Sequence, residues 1–302
     1  MRVEAVVRTA DTVGESPVWD EREGALLWVD IVGRRIHRWF PAEDRLETRA
    51  APDFATSVGL REDGGAVVGL RREVVLWDLE AGFEPLATPE PDLPDNRLNE
   101  GVVGPDGRYW VGTMQDNLED DGSPREMDRA SGALYRIDAA GTVERLTERT
   151  IGLANTLAWL PDGRLVTADT LADALYAHAP ADASAGAGLG ARTTFAAGFG
   201  RGVPDGSCVD VEGCLWNCRV AGGACLVRFS PDGAVDRVVE LPCDSPTSCC
   251  FGGPDLDVLY VTSARFGMEA ARLAERPLEG AVFALRPGTS GRAPYRFGAL
   301  GS

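Results

Sequence analysis

One phrase returns six times along this chain: an apolar strand opened by a polar residue, a Gly-centred turn, and a second strand that ends near Asp or Thr. The clearest copies are Asn99-Glu-Gly-Val-Val-Gly-Pro-Asp-Gly107, Asn155-Thr-Leu-Ala-Trp-Leu-Pro-Asp-Gly163 and Asp205-Gly-Ser-Cys-Val-Asp-Val-Glu-Gly213. In each, the opening polar residue stands seven places before the acidic residue of the turn. Weaker copies open at Thr56 and Thr247, and another opens near Glu15 and Ser16 with a slightly longer turn, Asp20-Glu-Arg-Glu-Gly24. Counted from Glu15, the openings are 41, 43, 56, 50 and 42 residues apart. Strand-only repeats of this period predict an all-β chain, a six-bladed β-propeller forming a single domain over 1–302. The 36 Gly and 19 Pro residues suit many short strands and turns. Only 269–276 reads as a brief helical turn.

The blades are expected at about 15–50, 56–90, 97–150, 152–198, 203–242 and 245 to the end. Blade three carries an insertion, 114–128, between its second and third strands, and blade four an Ala/Gly-rich loop at 179–190 that reads as a surface segment. The segment Val3-Glu-Ala-Val-Val-Arg8 alternates like a strand yet precedes blade one. It is expected to pair with the last blade and remove an exposed edge, the alternative being a frayed tail.

Radial repetition sends equivalent residues to equivalent places. The position opening each inner strand lies at one mouth of the central channel and holds Glu15, Thr56, Asn99, Asn155, Asp205 and Thr247. Any one of these is an ordinary turn or strand-start residue. In register, they bring two carboxylates and two carboxamides together, which is costly unless a cation or proton sits between them. Glu15, Asp205 and the amide oxygen of Asn155 are hard ligands suited to Ca²⁺, Mg²⁺ or Mn²⁺. Three protein ligands leave room for water and substrate, and Asp205 is placed to act as general base. Arg97 and Asn99 bring donors suited to a polyhydroxylated ligand, while Gln115, Asp116 or Asn117 of the insertion are candidates to cover the pocket.

Other chemistries find no support. The two histidines, His37 and His178, occupy no recurring channel position, and Gly206-Ser-Cys208 is not a nucleophile elbow. No phosphate-binding or dinucleotide-binding glycine loop is present. A net charge of −17 opposes binding to nucleic acid and to anionic membranes. The N-terminus lacks the apolar core of a signal peptide and no apolar run is long enough to span a membrane, so a cytoplasmic location is expected. All seven cysteines fall between 208 and 250 without paired zinc-ligand spacing, and they read as small buried hydrophobes.

Taken in order, several segments resemble the gluconolactonase and regucalcin (senescence-marker-protein) family of six-bladed propellers, in particular its bacterial sugar-lactonase members. They are Gly14-Glu-Ser-Pro-Val-Trp19, Arg97-Leu-Asn-Glu-Gly101 with Pro105-Asp-Gly-Arg-Tyr-Trp-Val-Gly-Thr-Met114, Gly132-Ala-Leu-Tyr135, Asn155 with Leu157-Ala-Trp-Leu-Pro-Asp-Gly163, Ala168-Asp-Thr170, Pro204-Asp-Gly206 with Gly213-Cys-Leu-Trp216, and Pro246-Thr-Ser248 with Leu259-Tyr-Val-Thr-Ser-Ala-Arg265. The resemblance covers essentially the whole chain. It implies one divalent cation (Ca²⁺, Zn²⁺, Mn²⁺ or Fe²⁺) on Glu15, Asn155 and Asp205, with Asp205 also the general base. It implies a sugar lactone as substrate, met by Arg97 and Asn99; Glu100 is expected beside that substrate site, and Asn117 of the insertion is expected to contact the substrate from above. Glu100 stands where Asp is common in the family, and Thr156 where Gly is common, which is expected to add bulk near the metal. The readings kept beside a metal-dependent aldonolactonase are a broad esterase or phosphotriesterase using the same cation, and a non-enzymatic calcium-binding propeller.

Overall fold

In the computed structural model, which describes residues 1–80, 82–180 and 189–298, the strands form six antiparallel sheets of four. Five blades use consecutive strands. Their inner strands are Gly14–Asp20, Ser57–Leu60, Asn96–Val103, Ala154–Trp159 and Val203–Val209, and their outermost are Arg45–Ala50, Phe83–Ala87, Val143–Arg145, Arg192–Ala197 and Val235–Glu240. Blade six has the inner strand Pro246–Gly252 and is completed by the N-terminal strand Glu4–Val7, which pairs with Val282–Leu285. The first and last parts of the chain thus close the ring, and the frayed-tail alternative is excluded. The helical turn expected at 269–276 is the short helix Ala270–Glu275. The Ala/Gly-rich loop expected at 179–190 lies mostly outside the described residues.

The repeated turns explain their own sequence. In Gly104-Pro-Asp-Gly107 the Gly107 N–H donates to Gly104 O at 3.0 Å, and Gly163 and Gly213 close equivalent turns on Leu160 and Asp210. The three glycines have φ of 69°, 85° and 81°, a region that penalises any side chain. Asp106 Oδ1 accepts from the Arg108 N–H and from Trp110 Nε1, so the turn acid also anchors the Trp of the next strand. In blade five the equivalent anchor for Trp216 is Asp210, two places before Glu212, because Asp210 accepts the Cys214 N–H and Trp216 Nε1. Glu212 instead pairs with Arg228.

Burial grades from the axis outward. Inner and second strands such as Ala25–Asp30, Ser57–Leu60 and Tyr109–Gln115 are buried along their whole length, whereas Arg45–Ala50 is exposed throughout. The core lies between blades: Leu27, Val29 and Ile36 of blade one meet Val58, Leu60 and Val68 of blade two, with Phe54 between. Each such side chain, fully buried, contributes about 1.5–3 kcal/mol. Both histidines serve this packing. His37 stacks on Trp28 and faces Asp11, and His178 meets Thr167 within blade four. Among the described residues no helix is long and apolar enough to cross a membrane.

Candidate functional site

The polar residues reach the axis through a repeated backbone irregularity. The pairing register shifts between Glu15 and Val18, Leu98 and Gly101, Asn155 and Leu157, Pro204 and Ser207, and Pro246 and Cys249. Five of the six inner strands are therefore bulged at the opening polar position, and only blade two runs regularly from Ser57. A bulge sets two residues against one on the partner strand and re-aims both side chains. The first residue of each pair, Glu15, Asn99, Asn155, Asp205 or Thr247, faces a pocket at the starting ends of the inner strands. The second, Ser16, Glu100 or Ser248, lines a separate cavity toward their far ends. At these bulges Ser16 and Thr156 hold φ near 50°, an uncommon conformation for residues other than glycine.

The pocket encloses about 280 Å³. Its floor is Glu15, Arg97, Asn99, Asn155 and Asp205, and its rim includes Val32, Leu118, Leu153 and Phe266. One hydrogen-bond chain runs across the floor. Arg97 donates through Nε and a terminal nitrogen to Asn117 Oδ1 (3.1 and 2.9 Å), and through its other nitrogen to Leu98 O and Asn99 Oδ1 (both 2.8 Å). Asn99 Nδ2 donates in turn to Asn155 Oδ1 and Ala154 O. Asn155 Nδ2 donates to the Thr170 hydroxyl, which donates to Pro204 O next to Asp205. Thr170 thereby fixes which face of the Asn155 amide is turned inward. Four of the five Arg97 N–H groups are occupied, leaving one for a ligand.

Electrostatics mark the same residues. Burial drives the Glu15 carboxyl up from 4.5 to about 7, against the opposing pull of the Ser16 N–H at 2.8 Å. Burial also lifts Asp205 well above the usual carboxylate range, and the charges of Glu15 and Glu100 add to it. Burial draws Arg97 down to about 10, despite the nearby charges of Asp116, Glu15 and Asp205. Glu15 and Asp205 are each more than nine-tenths buried, and neither forms an ion pair with a described residue. Arg97 on the same floor eases the charge on both, but one guanidinium already bonded to Asn117, Leu98 and Asn99 does not offset the cost of two buried carboxylates. A divalent cation removes that cost, and with the Asn155 amide oxygen the donor set is all oxygen, as hard cations require. The set fits such an ion. Among the described residues no group of three or more His, Cys, Asp or Glu could hold a metal, so an ion at this floor would need a donor of another type, such as the Asn155 carboxamide. All thirty basic side chains are arginines, which leaves no lysine for Schiff-base chemistry.

Several sequence expectations take a different place. Glu100, expected beside the substrate, lines the far cavity instead, because the bulge turns it away from Asn99. Thr156 does not crowd the pocket. Its hydroxyl bonds Ser207 Oγ at 2.8 Å and the Asp205 carbonyl, tying blade four to blade five beneath the floor. Of the insertion, Asn117 lines the pocket as expected. Gln115 is turned aside to Asp128 and the Arg129 N–H, and Asp116 is fully buried against Arg71 at 2.6 Å. Arg71 also holds Leu118 O and Asp120, so one blade-two arginine pins the insertion in place. Thr56 is buried on its own blade, bonded to Gly69 O, and is not part of the pocket lining. Sequence reasoning assigned no role to Thr170 and Arg71. Thr170 closes the segment Ala168-Asp-Thr170, which was a readable signal, whereas nothing local distinguishes Arg71 from other arginines.

A family description, SMP-30/Gluconolactonase/LRE-like region, matches residues 13–265. The chain belongs to this family. It is 38% identical over 298 residues to a 6-deoxy-6-sulfogluconolactonase of Pseudomonas putida and 34% identical over 305 residues to regucalcin of Xenopus laevis, with 98% of each chain covered in both cases. The fold matches the crystal structure of a calcium-binding protein, regucalcin, from Agrobacterium tumefaciens. That match has a TM-score of 0.87 at 29% identity, covering 98% of this chain and 97% of the other. Family membership over residues 13–265 and the propeller expected from the repeat agree.

Proposed function

We propose that this member of the SMP-30/gluconolactonase family is a sugar lactonase that opens the cyclic ester of an aldonolactone, with a divalent cation on Glu15, Asn155 and Asp205. The carrying observation is the pair of buried carboxylates, neither in an ion pair with a described residue, on the floor of a pocket sized for a small molecule. A relative at 38% identity is named for hydrolysis of a substituted gluconolactone, which supports the substrate class. The cation would serve as a Lewis acid for the ring carbonyl. Asp205, held as a carboxylate once the cation is bound, would take a proton from the attacking water. Oxygen then adds to the carbonyl carbon, the ring C–O bond breaks, and the proton passes from Asp205 to the departing alkoxide. Arg97 offers its free N–H to a substrate oxygen, and Asn117 orients Arg97. Asn99 acts by holding Arg97 and Asn155 rather than by meeting substrate with a free group.

The apolar rim of Val32, Leu118, Leu153 and Phe266 favours a second reading, a broader esterase that takes apolar substituents. One experiment separates the readings. Purified protein is assayed on hydroxylated five- and six-carbon lactones, unsubstituted valerolactone and a phosphotriester, with and without chelator. Chelator-sensitive turnover with preference for hydroxylated lactones is expected, and Asp205→Asn should lower it by about 10²–10⁴-fold while the fold is retained. Equal turnover on bare and hydroxylated lactones moves the assignment to the esterase. No turnover on any of them leaves a cation-binding propeller.

A further inference from the structure

The far cavity holds a chemical group that hydrolysis does not use. It encloses about 720 Å³ and is lined in part by Cys208, Cys249 and Cys250. Cys208 lies on the inner strand of blade five and Cys249 on that of blade six, and their Sγ atoms are 3.5 Å apart. All seven cysteines are free thiols. Cys214, Cys225 and Cys243 are buried and line neither this cavity nor the pocket, so they remain small hydrophobes as the sequence suggested. The 208/249 pair differs because two thiols from neighbouring blades touch at the wall of a cavity through which a small oxidant has access. Hydrogen bonds from the Cys208 and Cys218 thiols also bring the Cys249 thiol down to about 5, while burial pushes Cys208 well up. Two thiols in contact, one drawn toward the thiolate by its hydrogen bonds and the other held protonated by burial, suit an attacking and a resolving cysteine.

We propose that Cys208 and Cys249 form an oxidisable dithiol that hydrogen peroxide converts to a disulfide joining blade five to blade six. The Cys249 thiol releases its proton, its sulfur attacks one peroxide oxygen, the O–O bond breaks, and the departing hydroxide takes up that proton and leaves as water, giving a sulfenic acid at Cys249. The Cys208 sulfur then displaces the sulfenic oxygen, which takes the Cys208 proton and leaves as a second water. Both sulfurs are oxidised and the peroxide is reduced to two waters. A disulfide requires about 2.05 Å between sulfurs, so they must approach by roughly 1.5 Å. Cys208 follows Asp205 by three residues and Cys249 follows Thr247 by two, both in bulged strands, so closure draws the pocket floor with it.

The test uses the full chain exposed to a small excess of hydrogen peroxide, with free thiols counted after unfolding and bridges located by mass spectrometry with fragment-ion assignment. The count should fall by two from seven, with a 208–249 bridge that dithiothreitol opens. Cys208→Ser and Cys249→Ser should each abolish the bridge, and Cys250→Ser should keep it. Loss of thiols without a bridge, or a bridge through Cys218 or Cys250, overturns the proposal even if the serine variants fail to fold, because the wild-type chain alone decides it. Coupling to the pocket is read by lactone turnover and rests on the function proposed above. Oxidation should lower turnover by roughly tenfold to a hundredfold, the order expected when a positioned group moves by about 1 Å, and reduction should restore it. A bridge with unchanged turnover refutes the coupling, whereas absence of turnover before oxidation counts against the lactonase reading and leaves the bridge result standing.

Discussion

Replacing Glu15 by Gln in the metal-free protein should raise its stability at pH 8, the opposite of the usual effect of altering a buried site. The folded protein holds the Glu15 carboxyl at about 7 through burial, against an ordinary 4.5. Between those values the folded chain keeps a proton that the unfolded chain has released. Stability from this group is therefore complete below pH 4.5 and is lost as pH rises through 7. At about 1.4 kcal/mol per pH unit, the loss is about 3 kcal/mol. For a chain of 302 residues, with an unfolding entropy near 2.1 cal/mol/K per residue, this corresponds to about 5 °C in Tm. Gln cannot ionise, so in chelator the Tm of Glu15→Gln should exceed wild type by about that amount at pH 8 and converge with it near pH 4.5. Asp205 and Glu100 are raised in the same direction, in part by the Glu15 charge that Gln removes, so relief of that repulsion adds to the difference between the two curves with the same sign. Added Mn²⁺ or Ca²⁺ should raise the wild-type Tm at pH 8 and leave the variant nearly unmoved. Thermal unfolding at pH 5 and 8, with chelator or cation, gives all four values. A Glu15→Gln variant less stable than wild type at pH 8 in chelator, or one that gains as much from the cation, would refute the reasoning.

Other outcomes follow from the same geometry. Arg97→Ala removes a side chain that meets substrate through one free N–H, so kcat/KM on hydroxylated lactones should drop by about 10–100-fold with a smaller drop on bare lactones; equal drops on both would count against Arg97 as a recognition group. Thr170→Val removes the hydroxyl that orients the Asn155 amide, so cation affinity, read by calorimetry, should weaken by about tenfold, the order for losing a partner that orients a ligand; unchanged affinity would remove Thr170 from the site. Arg71→Ala strips three anchors from the insertion, and limited proteolysis should then cut between 116 and 128 well before any other segment. Deleting residues 1–8 exposes the edge strand Val282–Leu285, and the truncated chain should show a lowered Tm and self-association by light scattering.

The sequence by itself determined the architecture and the identity of the polar floor. Six copies of a strand-turn-strand phrase can bury their apolar faces only against one another, and the radial closure this forces carries Glu15, Asn99, Asn155 and Asp205 to one place. That argument needs period and register alone, and both are local properties of the chain. The N-terminal strand was readable for the same reason, since an alternating segment ahead of blade one has a single unpaired edge to join. Tertiary structure decided which way neighbouring side chains turn. Asn99 and Glu100 are adjacent in the sequence, yet a bulge aims one into the pocket and the other into the far cavity, and an extra residue in a strand depends on pairing across the sheet. The same holds for Thr156, whose bulk lies beneath the floor, and for Asp116, claimed by an arginine 45 residues earlier in the chain. The contact of Cys208 with Cys249 was equally hidden, because it joins residues 41 apart on two neighbouring blades and depends on how those blades pack.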